Sequence, residues 1–259
     1  MRIAALALFA LGAIAFALGT IAQDYHPPDN RLPTEFYFAR LEYPGLRDTT
    51  YIKNWYTDYP LADNHFAVLV NRLTGIRTDI IRVYIDSDTI FEYPFVYIVE
   101  PAQANLTDEH IVRLRKYLAR GGFLMLDDIH GNEDMIPVLN LLAHIFPGTD
   151  PTKPTDTLVE LDISHEIFHV FYDIPVVVQV LNDALAMCTS CAKWENGETG
   201  EIPQVFAHYN DDGYIDMLIM YNNDIGDSAE WLDDPRYPRE MSLFGIKMMV
   251  NSILYAMSH

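Results

Sequence analysis

Between residues 117 and 131 the chain reads YLARGGFLMLDDIHG, and no other stretch restricts the possible folds as strongly. Helix-compatible residues end at Arg120, two glycines supply the positive backbone angles that close a helix, and the apolar run FLML stops at Asp127 and Asp128. A short, uninterrupted apolar run of this kind marks a strand buried on both faces, as in a parallel sheet. Open parallel sheets bind ligands outside the carboxyl ends of their strands, so Asp127, Asp128 and His130 fall where such folds place their chemistry.

The flanking sequence repeats the alternation. Residues 36–41 (FYFARL) read as a first strand with Arg40 and Tyr43 near its carboxyl end. Asp63 can cap a helix carrying Phe66, Leu69, Val70 and Leu73 at helical spacing, with Gly75 closing it. Strands are expected at 78–85 and 95–99. Thr107 is placed to cap the helix leading into Gly121-Gly122. Pro137 fits the first position of a helix ending at Phe146, and residues 176–180 read as another strand. Residues 203–209 and 214–221 form a hairpin around Asp212-Gly213, and 243–257 a closing helix. The pattern predicts an α/β fold: a three-layer sandwich with a mostly parallel sheet and an added antiparallel hairpin.

The amino terminus differs in kind. An apolar run over residues 3–19 is followed by Thr20-Ile21-Ala22, small residues of the type a signal peptidase reads, so residues 1–22 are expected to be a signal peptide. Its rival is an uncleaved signal anchor, the only route by which this chain is expected to touch a membrane. Residues 23–34 form a proline-rich tether and 35–259 a single domain. Either reading puts the body outside the cytoplasm, periplasmic or secreted. There, Cys188 and Cys191 are expected to form a local disulfide, with metal ligation beside His208 or redox chemistry as alternatives. With 37 Asp and Glu against 17 Lys and Arg, the net charge of −20 repels phosphate backbones and excludes nucleic acid as a natural partner.

Several segments together, FYFARLEYPG, NWYTDYP, the block EYPFVYIVEPAQANLTDEHIVRLRKYLARGGFLMLDD, IFPG, HEIFHVFYDI and MVNSILYAMSH, resemble the bacterial domain-of-unknown-function family 4159. The resemblance spans about residues 35–259 and implies a flavodoxin-like fold of the class I glutamine amidotransferase-like superfamily. It implies no activity. A true amidotransferase carries a nucleophilic cysteine at a strand-to-helix elbow, and no cysteine stands in the sheet region here, which points to a scaffold put to another use.

Four constellations are candidates for chemistry, one of them the polar turn Tyr221–Asp227 after the hairpin. Its acidic and amide groups resemble calcium ligands, but its spacing departs from an EF-hand loop and Glu230 is misplaced for the last ligand, so that a solvated turn is expected. Asp127, Asp128 and His130, with Arg40, Tyr43 and Asp224, would line a strand-end crevice that binds a small polar ligand or an extracytoplasmic protein. His165-Glu166-Ile167-Phe168-His169 matches the zinc-hydrolase pattern, with Glu166 as base, but Pro175 leaves room for barely two helical turns. The aromatic loop of Tyr51, Trp55, Tyr56 and Tyr59 reads either as ligand-stacking surface or as edge packing. The principal expectation is a non-catalytic binding module without a cofactor. The alternative is a hydrolase, using zinc at His165 and His169 or the carboxylates of Asp127 and Asp128.

Overall fold

Among the described residues seven strands, β1 (Phe36–Glu42), β2 (Thr78–Tyr84), β3 (Phe95–Val99), β4 (Phe123–Ile129), β5 (Val159–Glu160), β6 (Gln204–Tyr209) and β7 (Ile215–Tyr221), form one sheet in the order β2-β1-β3-β4-β7-β6-β5. The computed structural model describes residues 32–49, 54–153, 157–191 and 193–259, and residues Thr34–His259 make one compact unit. The expected signal peptide, most of the tether and Tyr51 lie outside the described residues. Among the described residues, no helix is long and apolar enough to cross a membrane.

Strands β1, β2, β3, β4 and β7 run parallel, while β6 and the two-residue β5 extend the sheet antiparallel. Every residue of β3 and β7 is buried, whereas the edge strand β2 alternates. That contrast follows position, since only interior strands are covered on both faces. On one face, α1 (Leu61–Thr74) and α6 (Arg239–Ser258) bury Phe66, Val70, Met248 and Ile253 against Phe38, Phe95 and Met125. On the other, α2 (Asp108–Leu118) and α3 (Gly131–Ile145) bury Leu114, Leu118, Val138 and Leu142 against Val96, Leu124 and Leu126. The result is a flavodoxin-like α/β sandwich.

Local signals were good guides where they were local. Gly75 closes α1 at φ 81°, and Thr107 caps α2 in a capping box with His110. Gly121 adopts φ 84°, while Gly122 lies under the Tyr117 ring, where a Cβ would come within 2.4 Å. Cys188 and Cys191 are disulfide-bonded.

Three expectations need correction. Helix α3 starts at Gly131, directly after β4, and Pro137 lies inside it, where the missing N–H forfeits one helical hydrogen bond. Residues 176–180 form no strand and lead into the short helix α4 (Asp183–Ala186). Instead the segment is pinned to the end of β7: Val180 N donates to Asn223 Oδ1 at 2.9 Å, and Asp224 N donates to Val180 O at 3.1 Å. The polar turn expected after β7 is the start of a short helix, α5 (Ile225–Glu230), capped by Asp224, whose Oδ1 accepts from Asp227 N at 3.0 Å.

Candidate functional site

The carboxyl ends of β1, β3, β4 and β7 open into a cleft of about 530 Å³. Its floor is set by an irregularity in β4. Leu126 pairs with Ile219 but Ile129 with Tyr221, so β4 carries one residue more than its neighbour. Such a bulge re-aims side chains. Asp127 stays on the inner face, while Asp128, at φ 59°, lines the cleft. Asp58 (φ 62°) and Glu100 (φ 44°) line it from equally left-handed backbone positions, so two strand ends and the loop before α1 turn carboxylates into one space.

The sequence-nominated residues divide sharply. Asp128, His130 and Asp224 line the cleft together. Arg40, Tyr43 and Asp127 serve structure. Arg40 is fully buried, binds both carboxylate oxygens of Asp63 through Nε at 3.0 Å, adds Nη2 to Asp63 Oδ2 at 2.5 Å, and donates to Thr57 O at 2.9 Å. It holds the loop that delivers Asp58. The Tyr43 hydroxyl donates to Val99 O at 2.6 Å. Asp127 accepts from Tyr97 Oη at 2.5 Å and from the amides of Ile225 and Gly226 at 3.1 and 3.0 Å, anchoring the start of α5.

Asp58, Asp227 and Glu230 line the same cleft, although the sequence reading does not place them in it: Asp227 stands in the calcium-like polar turn, and Glu230 is set aside as misplaced for its last ligand. Asp227 and Glu230 sit on α5 behind Asp224, and the signal for them was the apolar strand before that turn, the same signal that singled out Asp128. Asp58 follows β1 through a long tyrosine-rich loop that carries no comparable mark.

Among the described residues, nine carboxylates border the cleft, against Arg47 and His130 as its only basic residues. Burial raises the carboxyl of Asp227 to about 8, reinforced by Glu230 and Asp128 and opposed by the Asp183 amide. It also drives Asp58 and Asp224 well above the ordinary range, with the charge of Asp227 adding to both. Asp127 is pushed up to about 6 by burial, the Tyr97 and backbone hydrogen bonds limiting the rise. Burial works against the charged form of His130, yet contact with Asp128 and the charge of Glu195 hold it up at about 9. The site gathers carboxyl groups whose burial and mutual repulsion raise their affinity for protons, and by the same physics for other cations.

The other candidates are arranged differently. Residues 166–168 form a single 3₁₀ turn, not an α-helix, so His165 and His169 do not stand one α-turn apart on a common face. His165 Nε2 meets Tyr209 Oη at 3.0 Å, whereas His169 meets Asp173 Oδ1 at 2.6 Å and Ile163 O at 2.8 Å. Trp55, Tyr56 and Tyr59 pack against one another with ring centroids 5.3–5.7 Å apart. Cys188 and Cys191, the two cysteines of the chain, are tied up in their disulfide, leaving no thiol nucleophile.

No curated protein matches the chain. The profile of the family described as a domain of unknown function, DUF4159, matches residues 37–257, and the chain belongs to that family.

Proposed function

We propose that this protein is an extracytoplasmic binding module whose strand-end cleft receives a positively charged ligand. One observation carries the reading: among the described residues, nine carboxylates face a single cavity whose only basic side chains are Arg47 and His130, while the buried Arg40 is committed to Asp63. Charges gathered in a partly desolvated space repel one another, and a cation entering it relieves that repulsion. The same field disfavours anionic substrates, nucleic acid included.

The scaffold is that of the class I glutamine amidotransferase-like superfamily, used without a thiol. Export through residues 1–22, followed by oxidation of Cys188 and Cys191, gives the domain its place outside the cytoplasm; the disulfide is compatible with that address.

Calorimetric titration with spermidine and with citrate tests the ligand class. Spermidine should bind, weaken as salt is raised, and weaken further in an Asp128→Asn, Asp227→Asn double variant, while citrate gives no heat. Citrate binding in place of spermidine would overturn the reading.

A further inference from the structure

Two groups in the cleft are spaced as metal ligands are. Asp128, His130 and Asp224 each offer an atom within 4.8 Å of the others, and so do Asp58, Asp227 and Glu230. Acidic residues cluster on many surfaces for solubility alone, so the condition of individual donor atoms decides more than their proximity.

Those conditions are unusual. His130 is 2% exposed, yet neither ring nitrogen makes a hydrogen bond. Its Nε2 comes within 3.1 Å of Asp128 Oδ1 and 3.6 Å of Glu195 Oε1, close enough for charge attraction but outside hydrogen-bond geometry. A buried imidazole ordinarily satisfies at least one nitrogen. Asp58 Oδ2 is also buried without a hydrogen-bond partner, and it presses on Gly226, where a Cβ would lie 2.0 Å from it. Two neighbours, by contrast, are held by backbone amides on one oxygen each: Asp224 through Oδ1 to Asp227 N at 3.0 Å, and Asp227 through Oδ2 to Asp183 N at 2.6 Å. Outer hydrogen bonds of this kind orient a ligating carboxylate and leave its second oxygen for a cation.

Resting on the cationic-ligand reading above, we propose that Asp128, His130 and Asp224 form a divalent-metal site, with Asp58, Asp227 and Glu230 as an oxygen-only site beside it. The chemistry narrows the ion. Imidazole with carboxylates suits first-row ions such as Mn²⁺, Fe²⁺ and Zn²⁺, whereas carboxylates alone suit Mg²⁺, Ca²⁺ and Mn²⁺. Mn²⁺ satisfies both donor sets.

The test is titration of the purified, chelator-stripped chain with Mn²⁺, followed by electron paramagnetic resonance and calorimetry. Bound Mn²⁺ should lose the free-ion spectrum and show nitrogen coupling from His130. His130→Ala should remove that coupling and weaken binding by at least about tenfold. Because His130 is buried, Glu230→Gln at the half-buried end of the second group serves as an independent variant, with circular dichroism and melting recorded on both. Glu230→Gln should weaken uptake of a second ion and preserve the nitrogen coupling. Folded protein that ignores Mn²⁺ overturns the metal site, as does binding unaffected by both variants. If spermidine still binds in that case, only the metal proposal falls; if neither binds, the cationic-ligand reading falls with it.

Discussion

The Arg40–Asp63 pair and the acidic cleft are supported by the same parallel strands, yet they treat buried charge in opposite ways. Around Arg40, both charged side chains are at 0% exposure and each guanidinium nitrogen has an acceptor: Asp63 takes three hydrogen bonds, from Nε and Nη2, and the backbone carbonyls of Trp55 and Thr57 accept from Nη1. In the cleft, Asp58 Oδ2 and both nitrogens of His130 go without. A fold that completes one polar network so thoroughly has no general difficulty in satisfying buried groups. The incomplete network therefore reads as a site awaiting something from outside the chain.

The largest effect that would sharpen this contrast comes from breaking the complete network. Asp63→Ala leaves a buried, unpaired guanidinium and should cost about 3–5 kcal/mol, read by denaturant unfolding. A loss below about 1 kcal/mol would place Arg40 in a far wetter setting than its burial indicates.

The next effect is pH dependence. The carboxyls of Asp127 and Asp227 titrate higher in the folded state, at about 6 and about 8, than in the unfolded chain. Their neutral forms are the ones the fold favours, so this contribution is full below the ordinary carboxylate range and is lost as pH rises through those values. His130, raised to about 9, acts in the same direction, because its stabilisation is full below the ordinary histidine value and is lost on passing 9. In chelator, stability should fall continuously between pH 5 and pH 9, read as a falling melting temperature. A flat or rising profile would break the comparison, because it would mean that the cleft charges are already compensated.

The smallest effect concerns Asp58. Replacing this carboxylate, whose Oδ2 is buried without a hydrogen-bond partner, with an amide, Asp58→Asn, should stabilise the metal-free protein by about 1 kcal/mol at pH 8 and by less at pH 5, where the carboxyl is closer to neutral. Destabilisation at both values would show that Asp58 holds a structural contact and would remove it from the site.

The cleft was half legible in the sequence. Asp128 and His130 follow an apolar run that ends abruptly, and Asp224 follows another, so strand-end logic reached all three. Asp227, three residues past Asp224, stands in the same polar turn but reads as solvated, because the turn lacks calcium-loop spacing. Asp58 was beyond it, because its position depends on Arg40 fastening a loop by contacts 15 and 17 residues apart in the chain. Arg40 and Tyr43 were nominated from the correct end of β1, but the backbone and Asp63 had prior use for them.

What the sequence determined by itself was the alternation of strands and helices, the glycine closure of α1, the capping of α2 and the end of the sheet at which polar groups gather. These depend on periodicities and turn chemistry that act over a few residues. Only the tertiary structure decided which charges are neutralised and which are left facing a cavity. That division depends on where distant donors arrive: Asp63, 23 residues along the chain, takes up the charge of Arg40, while the amides of α5 take up Asp127 from 98 and 99 residues away. Electrostatic compensation is a property of separation in space, and no local pattern encodes it.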